Sequence, residues 1–192
     1  MALPQSKTVA PVNLWLAIAR RWIPGPAKHR AVDGLYKLTA DAFGIKTPRT
    51  PDGPLTERIE AFARFSHSCA QQHMNAGKDP DPVMRELYRQ AKILSGELRS
   101  VFNTTSKQEY LELLEILYGI IGITVETEES GHIHVTTCAF SSVYSPETCR
   151  IMSAVDDGIA VGLWGCGRLI FSRRITEGFS YCEARFDFGE NI

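Results

Sequence analysis

The chain has no excess charge of either sign: 21 Lys and Arg stand against 22 Asp and Glu, for a formal net charge of −1. Such a balance gives no field that would gather a polyanion, so no nucleic-acid partner is expected. The basic groups Arg20-Arg21 and Lys28-His29-Arg30 read as solvated helix ends. Long apolar runs are also missing. The stretch Leu14 to Ala19 stops at Arg20 and carries no small-residue cleavage pattern, so it does not read as a signal peptide. Nothing approaches the roughly 20 apolar residues that a membrane span needs. No membrane partner and a cytoplasmic setting are therefore expected.

Several chemical signatures are absent as well. There is no P-loop, no Gly-x-Ser-x-Gly elbow and no His-Glu-x-x-His helix, and the glycines of Gly162-Leu163-Trp164-Gly165-Cys166-Gly167 are not spaced as a dinucleotide fingerprint. That last stretch reads instead as a tight hairpin or a bend. Cysteine is sparse, odd in number at 5, and never arranged as Cys-x-x-Cys. A disulfide framework is thus not expected, and no chelating turn offers itself to zinc.

What the chain does have is helical periodicity over its first two thirds. A helix is expected from Val12 to Trp22, closed by Pro24-Gly25-Pro26, and another from about Ala27 to Phe43, stopped by Gly44. Lys46 to Pro54, with three prolines and a glycine, reads as a linker. Ile59, Phe62, Phe65 and Cys69 mark a third helix, and Val83, Leu87, Ala91, Leu94, Leu98 and Val101 a fourth. Ser106 and Glu109 form a capping-box pattern before a fifth, with Tyr110, Leu113, Leu114, Leu117 and Ile121 on one side.

After Gly122 the period changes from helical to alternating. His132 to Cys138 reads as a strand with His132, His134, Thr136 and Cys138 on one face. Ser145-Pro146 opens a short helix; the glycine-rich 158–167 leads to a strand at Arg168 to Ile175; and Tyr181 to Phe188 alternates Cys182, Ala184, Phe186 and Phe188 against polar neighbours. These elements predict an α+β fold, a helical layer on a C-terminal antiparallel sheet. Residues 1–54 are expected to be a helical extension and linker, and residues 55–192 an α+β ligand-pocket domain.

Four of the five cysteines, Cys138, Cys149, Cys166 and Cys182, fall in the last third of the chain. Free cysteine is often a small buried hydrophobe, and spacing alone favours that role. Two imidazoles and a thiol along one strand face, His132, His134 and Cys138, could nonetheless converge on a ligand, or the histidines could line an exposed edge. On the helix after Ser145, Cys149, Met152 and Asp156 share a face at i, i+3 and i+7, which brings Asp156 toward the same pocket. Asp157 is expected to cap or turn the chain before Gly158. Cys138, Cys149 and Cys182 are expected in one polar site with His134 and Asp156, and Cys69 and Cys166 outside it.

The order of residues in this region carries a resemblance. Cys138-Ala139-Phe140, Pro146 to Cys149, Gly162-Leu163, Glu177-Gly178 and then Cys182 with an aromatic strand resemble the L-2-amino-thiazoline-4-carboxylic acid hydrolase family, and more distantly the 4-vinyl reductase domain, over Tyr110 to Phe188. The first resemblance implies hydrolysis of a C–N bond in a small cyclic amidine. Cys138, Cys149, His134 and Asp156 are then the catalytic candidates, and His132, Cys182, Arg174 and Glu177 the substrate-binding ones. A thiolate would attack, with a low pKa set by Arg150 or His134. The second resemblance implies a dimeric domain that binds small hydrophobic ligands beside a zinc held by cysteines and an acidic residue. Cys149 and Cys182 match two ligand positions, but the other two fall near Phe171 and Arg174, which cannot ligate zinc. No cofactor is therefore expected, with zinc left open as an alternative. A homodimer is, because Leu14, Trp15, Ile18 and Trp22 give the first helix a strongly apolar face.

Overall fold

The structure, a computed structural model, describes residues 13–189. Six helices, α1 (Leu14–Arg21), α2 (Gly25–Phe43), α3 (Leu55–Asn75), α4 (Asp81–Phe102), α5 (Lys107–Ile120) and α6 (Pro146–Trp164), accompany four strands, β1 (Ile123–Thr127), β2 (His132–Cys138), β3 (Arg168–Arg173) and β4 (Cys182–Asp187). The strands form one antiparallel sheet in the order β1-β2-β4-β3. This is the α+β architecture expected, with the helical region first and the sheet in the C-terminal half. Val12 lies outside the described residues, and α1 begins after Asn13, whose side chain caps the Leu16 amide.

Local chemistry sets most boundaries. Gly44 closes α2 in the left-handed conformation that glycine adopts without a Cβ clash. The capping box at α5 is formed in full: the Ser106 hydroxyl accepts from the Glu109 amide, and the Glu109 carboxylate accepts from the amides of Thr105 and Ser106.

Helix α6 is where sequence periodicity misleads most. Residues 158–164, with their two glycines, continue the helix instead of bending, so α6 is 19 residues long and not short. The two glycines are contact points. A Cβ on Gly158 would lie 2.4 Å from the Tyr88 carbonyl, and one on Gly162 would lie 2.0 Å from Ser95 Oγ and 2.3 Å from the Lys92 carbonyl. Helices α4 and α6 thus cross with backbones almost touching, Ala91 and Ser95 facing the two glycines, and the lost helix propensity is offset by close packing. Asp157 does not terminate the helix. Its carboxylate accepts from the Leu169 amide at 2.7 Å and fastens α6 to the start of β3.

One contiguous core joins the layers: Leu16 of α1, Val32 and Leu35 of α2, Leu87 of α4, Leu113 and Leu114 of α5, Val161 of α6, and Ile133, Ala184 and Phe186 of the sheet all belong to it. Among the described residues no helix is long and apolar enough to cross a membrane.

Candidate functional site

The site forms where β2, β4, α5 and α6 face one another. The inward positions of β2 and β4 are Ile133, Val135, Cys182, Ala184 and Phe186, all buried. Cys182 therefore faces the core, as its alternation predicts. Cys149, Met152 and Asp156 project from one face of α6 toward it.

Cys138 arrives by a route the sequence does not reveal. Val125 pairs with Val135, but the adjacent Thr124 pairs with Thr137, so Thr136 is an extra residue, a β-bulge. The bulge reverses the alternation. His132 and His134 stay on the outer face, while Cys138, paired with the buried Ile123, turns inward. The polar stripe of two histidines and a thiol expected on β2 is thus split between opposite faces of the sheet. His134 packs its ring against Tyr181 at 5.6 Å, and His132 sits opposite Arg185. Neither lines the cavity.

Cys138, Cys149, Cys182 and Asp156 do line one cavity, of about 90 Å³, whose other walls include Phe62, Phe140, Met152 and Phe171. Two tyrosines that periodicity did not single out complete it. Tyr118 of α5 donates its hydroxyl proton to Asp156 Oδ1 at 2.8 Å. The Tyr144 hydroxyl, in the turn before α6, meets Ser66 Oγ at 2.6 Å. The signal for Tyr118 is present in the chain: Tyr110, Leu114 and Tyr118 recur at intervals of four, and all three are buried.

The electrostatics follow from burial. Among the described residues Asp156 is the one carboxylate on the cavity wall, and burial pushes its pKa up to about 6, against the opposing effects of the Tyr118 hydrogen bond and the Arg174 charge. Burial pushes the Cys138 thiol up to about 12, and it raises Cys149 and Cys182 as well. Arg174 lowers Cys149 and Cys182, but not enough to reverse the effect of burial. These are protonated thiols at neutral pH. The depressed pKa that a thiolate nucleophile needs is not found at any of the three.

Arg174, just before the 3-10 turn Ile175–Glu177, and Glu177 within it form an ion pair at 4.0 Å, and neither is among the residues that line the cavity. The Arg174 guanidinium lies 4.7 Å from the Phe171 ring, and its Nε is buried without a hydrogen-bond partner among the described residues. Glu177 accepts from Arg150 Nε and Nη2 at 3.0 and 2.8 Å, so Arg150 is engaged there and not with a thiol. The Ile175 amide donates to Cys182 Sγ at 3.3 Å, tying this turn to β4. Cys69 is buried in α3, and Cys166 follows α6 with its Sγ 3.2 Å from the Phe188 carbonyl; neither lines the cavity. Among the described residues, no three His, Cys, Asp or Glu side chains converge as a metal site would require.

The arrangement can hold a small, largely apolar molecule, offer it one carboxyl group that titrates near neutrality, and present a guanidinium close by. Compared with known proteins, the chain matches no family model, and no curated protein or solved structure matches it at a significant level.

Proposed function

We propose that this domain binds a small heterocycle whose basic nitrogen pairs with Asp156 and whose ring fills the apolar cavity. The observation that carries the reading is the position of Asp156: a single carboxyl on an otherwise apolar wall, held by Tyr118. A buried, unpaired carboxylate is costly, and a cationic or hydrogen-bond-donating ligand removes that cost. Size agrees. A cavity of about 90 Å³ is smaller than the roughly 150 Å³ void that takes up benzene, so the five-membered ring itself is near its limit and a ring carboxylate would extend past the cavity wall. The Arg174 charge, felt at Asp156, Cys149 and Cys182 from outside the cavity lining, suits a ligand that also carries a carboxylate. A thiazoline-type cyclic amidine acid, the substrate class implied by the resemblance over Tyr110 to Phe188, has both features.

Hydrolysis of such a ring is the second reading. What favours it is that Asp156, with a pKa of about 6, can exchange a proton at neutral pH as a general acid or base. The carboxylate would deprotonate a water that adds to the amidine carbon, and the proton would pass to the departing ring nitrogen as the C–N bond breaks. A thiolate route from Cys138 or Cys149 is less favoured, because both thiols are held protonated.

Calorimetry with 2-amino-2-thiazoline and its neutral 2-methyl isostere tests the reading. Tighter binding of the amino compound, weakened about tenfold or more in Asp156→Asn, is expected. Equal affinity for the two, or no heat with either, rejects the carboxylate anchor. Incubation with the 4-carboxylate, followed by mass spectrometry for a product heavier by one water, separates hydrolysis from binding.

A further inference from the structure

A second cavity lies on the other side of Tyr118, between α1, α2, α4 and α5, and its volume is about 640 Å³. It is larger than the Asp156 cavity and of the size that encloses an extended small-molecule ligand. Its walls are almost wholly apolar, with Trp15 and Trp22 at the open side and Leu98, Phe102, Leu117 and Ile120 inside. The two tryptophans are 63% and 66% exposed, although each has one face toward the groove. Apolar surface of this extent beside an open groove is characteristic of a binding site.

Among the described residues one charged side chain belongs to the lining. Arg30 of α2 stands at the rim, is exposed, and has no carboxylate within ion-pairing distance among the described residues. The other arginine groups nearby are differently placed: Arg20 pairs with Glu112, and Arg58 is paired to Asp33. A deep apolar groove with a single unpaired cation at its mouth is complementary to a molecule with one long apolar tail and one negative head. A second copy of the chain fits less well. The exposed part of α1 is one eight-residue helix, about 12 Å long, and a stable interface needs about 800 Å² from each partner.

We propose that this groove binds a single-chain anionic amphiphile, a free long-chain carboxylate, with its tail between α1 and the α4–α5 pair and its head at Arg30. The inference stands apart from the reading of the Asp156 cavity, since Arg30, Trp15 and Trp22 are no part of that cavity and the ligand is different. The two sites nevertheless share a wall: Leu35, Tyr118, Ile121 and Ile159 line both.

The test uses tryptophan fluorescence of the full chain and a bromine-substituted long-chain carboxylate, which quenches indole on contact. Trp15 and Trp22 border the groove, whereas Trp164 packs on Tyr110 and Phe188 away from it. Saturable quenching is expected, and it should vanish in the Trp15→Phe/Trp22→Phe double variant, where Trp164 alone reports. Arg30→Gln should weaken the carboxylate about two- to fivefold, the size of an exposed ion pair, and leave the matching bromo-alcohol unchanged. Ala31→Phe, which places a ring in the groove, should abolish both. Unsaturable quenching, quenching that persists in the double variant, or equal effects of Arg30→Gln on acid and alcohol overturns the proposal. Light scattering that shows a dimer, with no quenching at any carboxylate concentration, assigns the groove to a second copy and likewise overturns it.

Discussion

Tyr118 donates its hydroxyl proton to Asp156 at 2.8 Å, and this bond joins α5 to α6 across the floor of the smaller cavity. The tyrosine belongs to both cavities, so its position links the carboxyl chemistry of one with the apolar packing of the other. Tyr118→Phe removes the one hydrogen bond that counteracts the burial of Asp156. The Asp156 pKa should then rise above about 6, which carbon-detected NMR of the labelled carboxyl would report. A pKa that stays put or falls would mean that water replaces the phenol as donor.

Asp156 also sets a pH dependence of stability. Its folded pKa of about 6 lies above the ordinary value of 3.8, so between those limits the folded state holds a proton that the unfolded chain has lost. Stability should therefore fall as pH rises from about 4 to about 6 and level off above that, by up to about 3 kcal/mol for this group. Asp156→Asn removes the dependence. Urea unfolding should show the variant matching the parent near pH 4 and exceeding it at pH 7.5. A variant less stable at both pH values would mean that the carboxylate is stabilised by its surroundings.

The three cavity thiols should be slow to alkylate. Burial holds Cys138 up at about 12 and raises Cys149 and Cys182, so native protein at pH 8 exposes almost no thiolate at these positions. Iodoacetamide labelling followed by peptide mass spectrometry should find these three unmodified until denaturant is added. Rapid native labelling of Cys138 or Cys149 would revive the thiolate mechanism.

Close packing of α4 on α6 predicts opposite signs for two glycine substitutions. Gly162→Ala drives a methyl group into Ser95 Oγ and the Lys92 carbonyl, and should cost about 1–3 kcal/mol as the helices separate. Gly119→Ala, on an exposed helical position of α5 where a Cβ meets nothing within 4 Å, should stabilise by about 0.5–1 kcal/mol through helix propensity. Thermal unfolding of the two variants side by side decides the matter.

The sequence was most legible where one local rule acts alone. Ser106 and Glu109 announce α5, the bounds of β2 match the segment read as a strand, Cys182 falls on the inward face of β4, and Cys149, Met152 and Asp156 share one helical face. It was least legible where a tertiary contact overrides the local rule. Gly158 and Gly162 weaken a helix in isolation, yet they let α4 approach, and only the partner helix explains them. His132 and His134 share a periodic stripe with Cys138, but a pairing partner that skips one residue separates them. Tyr118 lies in an apolar repeat, and its role depends on a carboxyl group 38 residues away.

The bulge at Thr136 gives the last prediction. Thr136 has no partner on β1, where Val125 and Thr124 pair with Val135 and Thr137. Deleting Thr136 would leave those pairs in place, with Val135 and Cys138 still inward and Thr137 still outward. The strand would become regular, so the deletion should be tolerated, with the melting temperature changed by only a few degrees and Cys138 still shielded from iodoacetamide. Deleting His134 has the opposite consequence. The bond between Ile133 and Val135 would put two inward residues next to each other, and a one-residue slip turns one of them, or everything beyond it, toward solvent. That deletion should cost about 2 kcal/mol or more and bring Cys138 into reach of the reagent. If the two deletions are equally damaging, the bulge does more than reverse the alternation, and the backbone at Thr136 has a role in the cavity wall that side-chain facing alone does not describe.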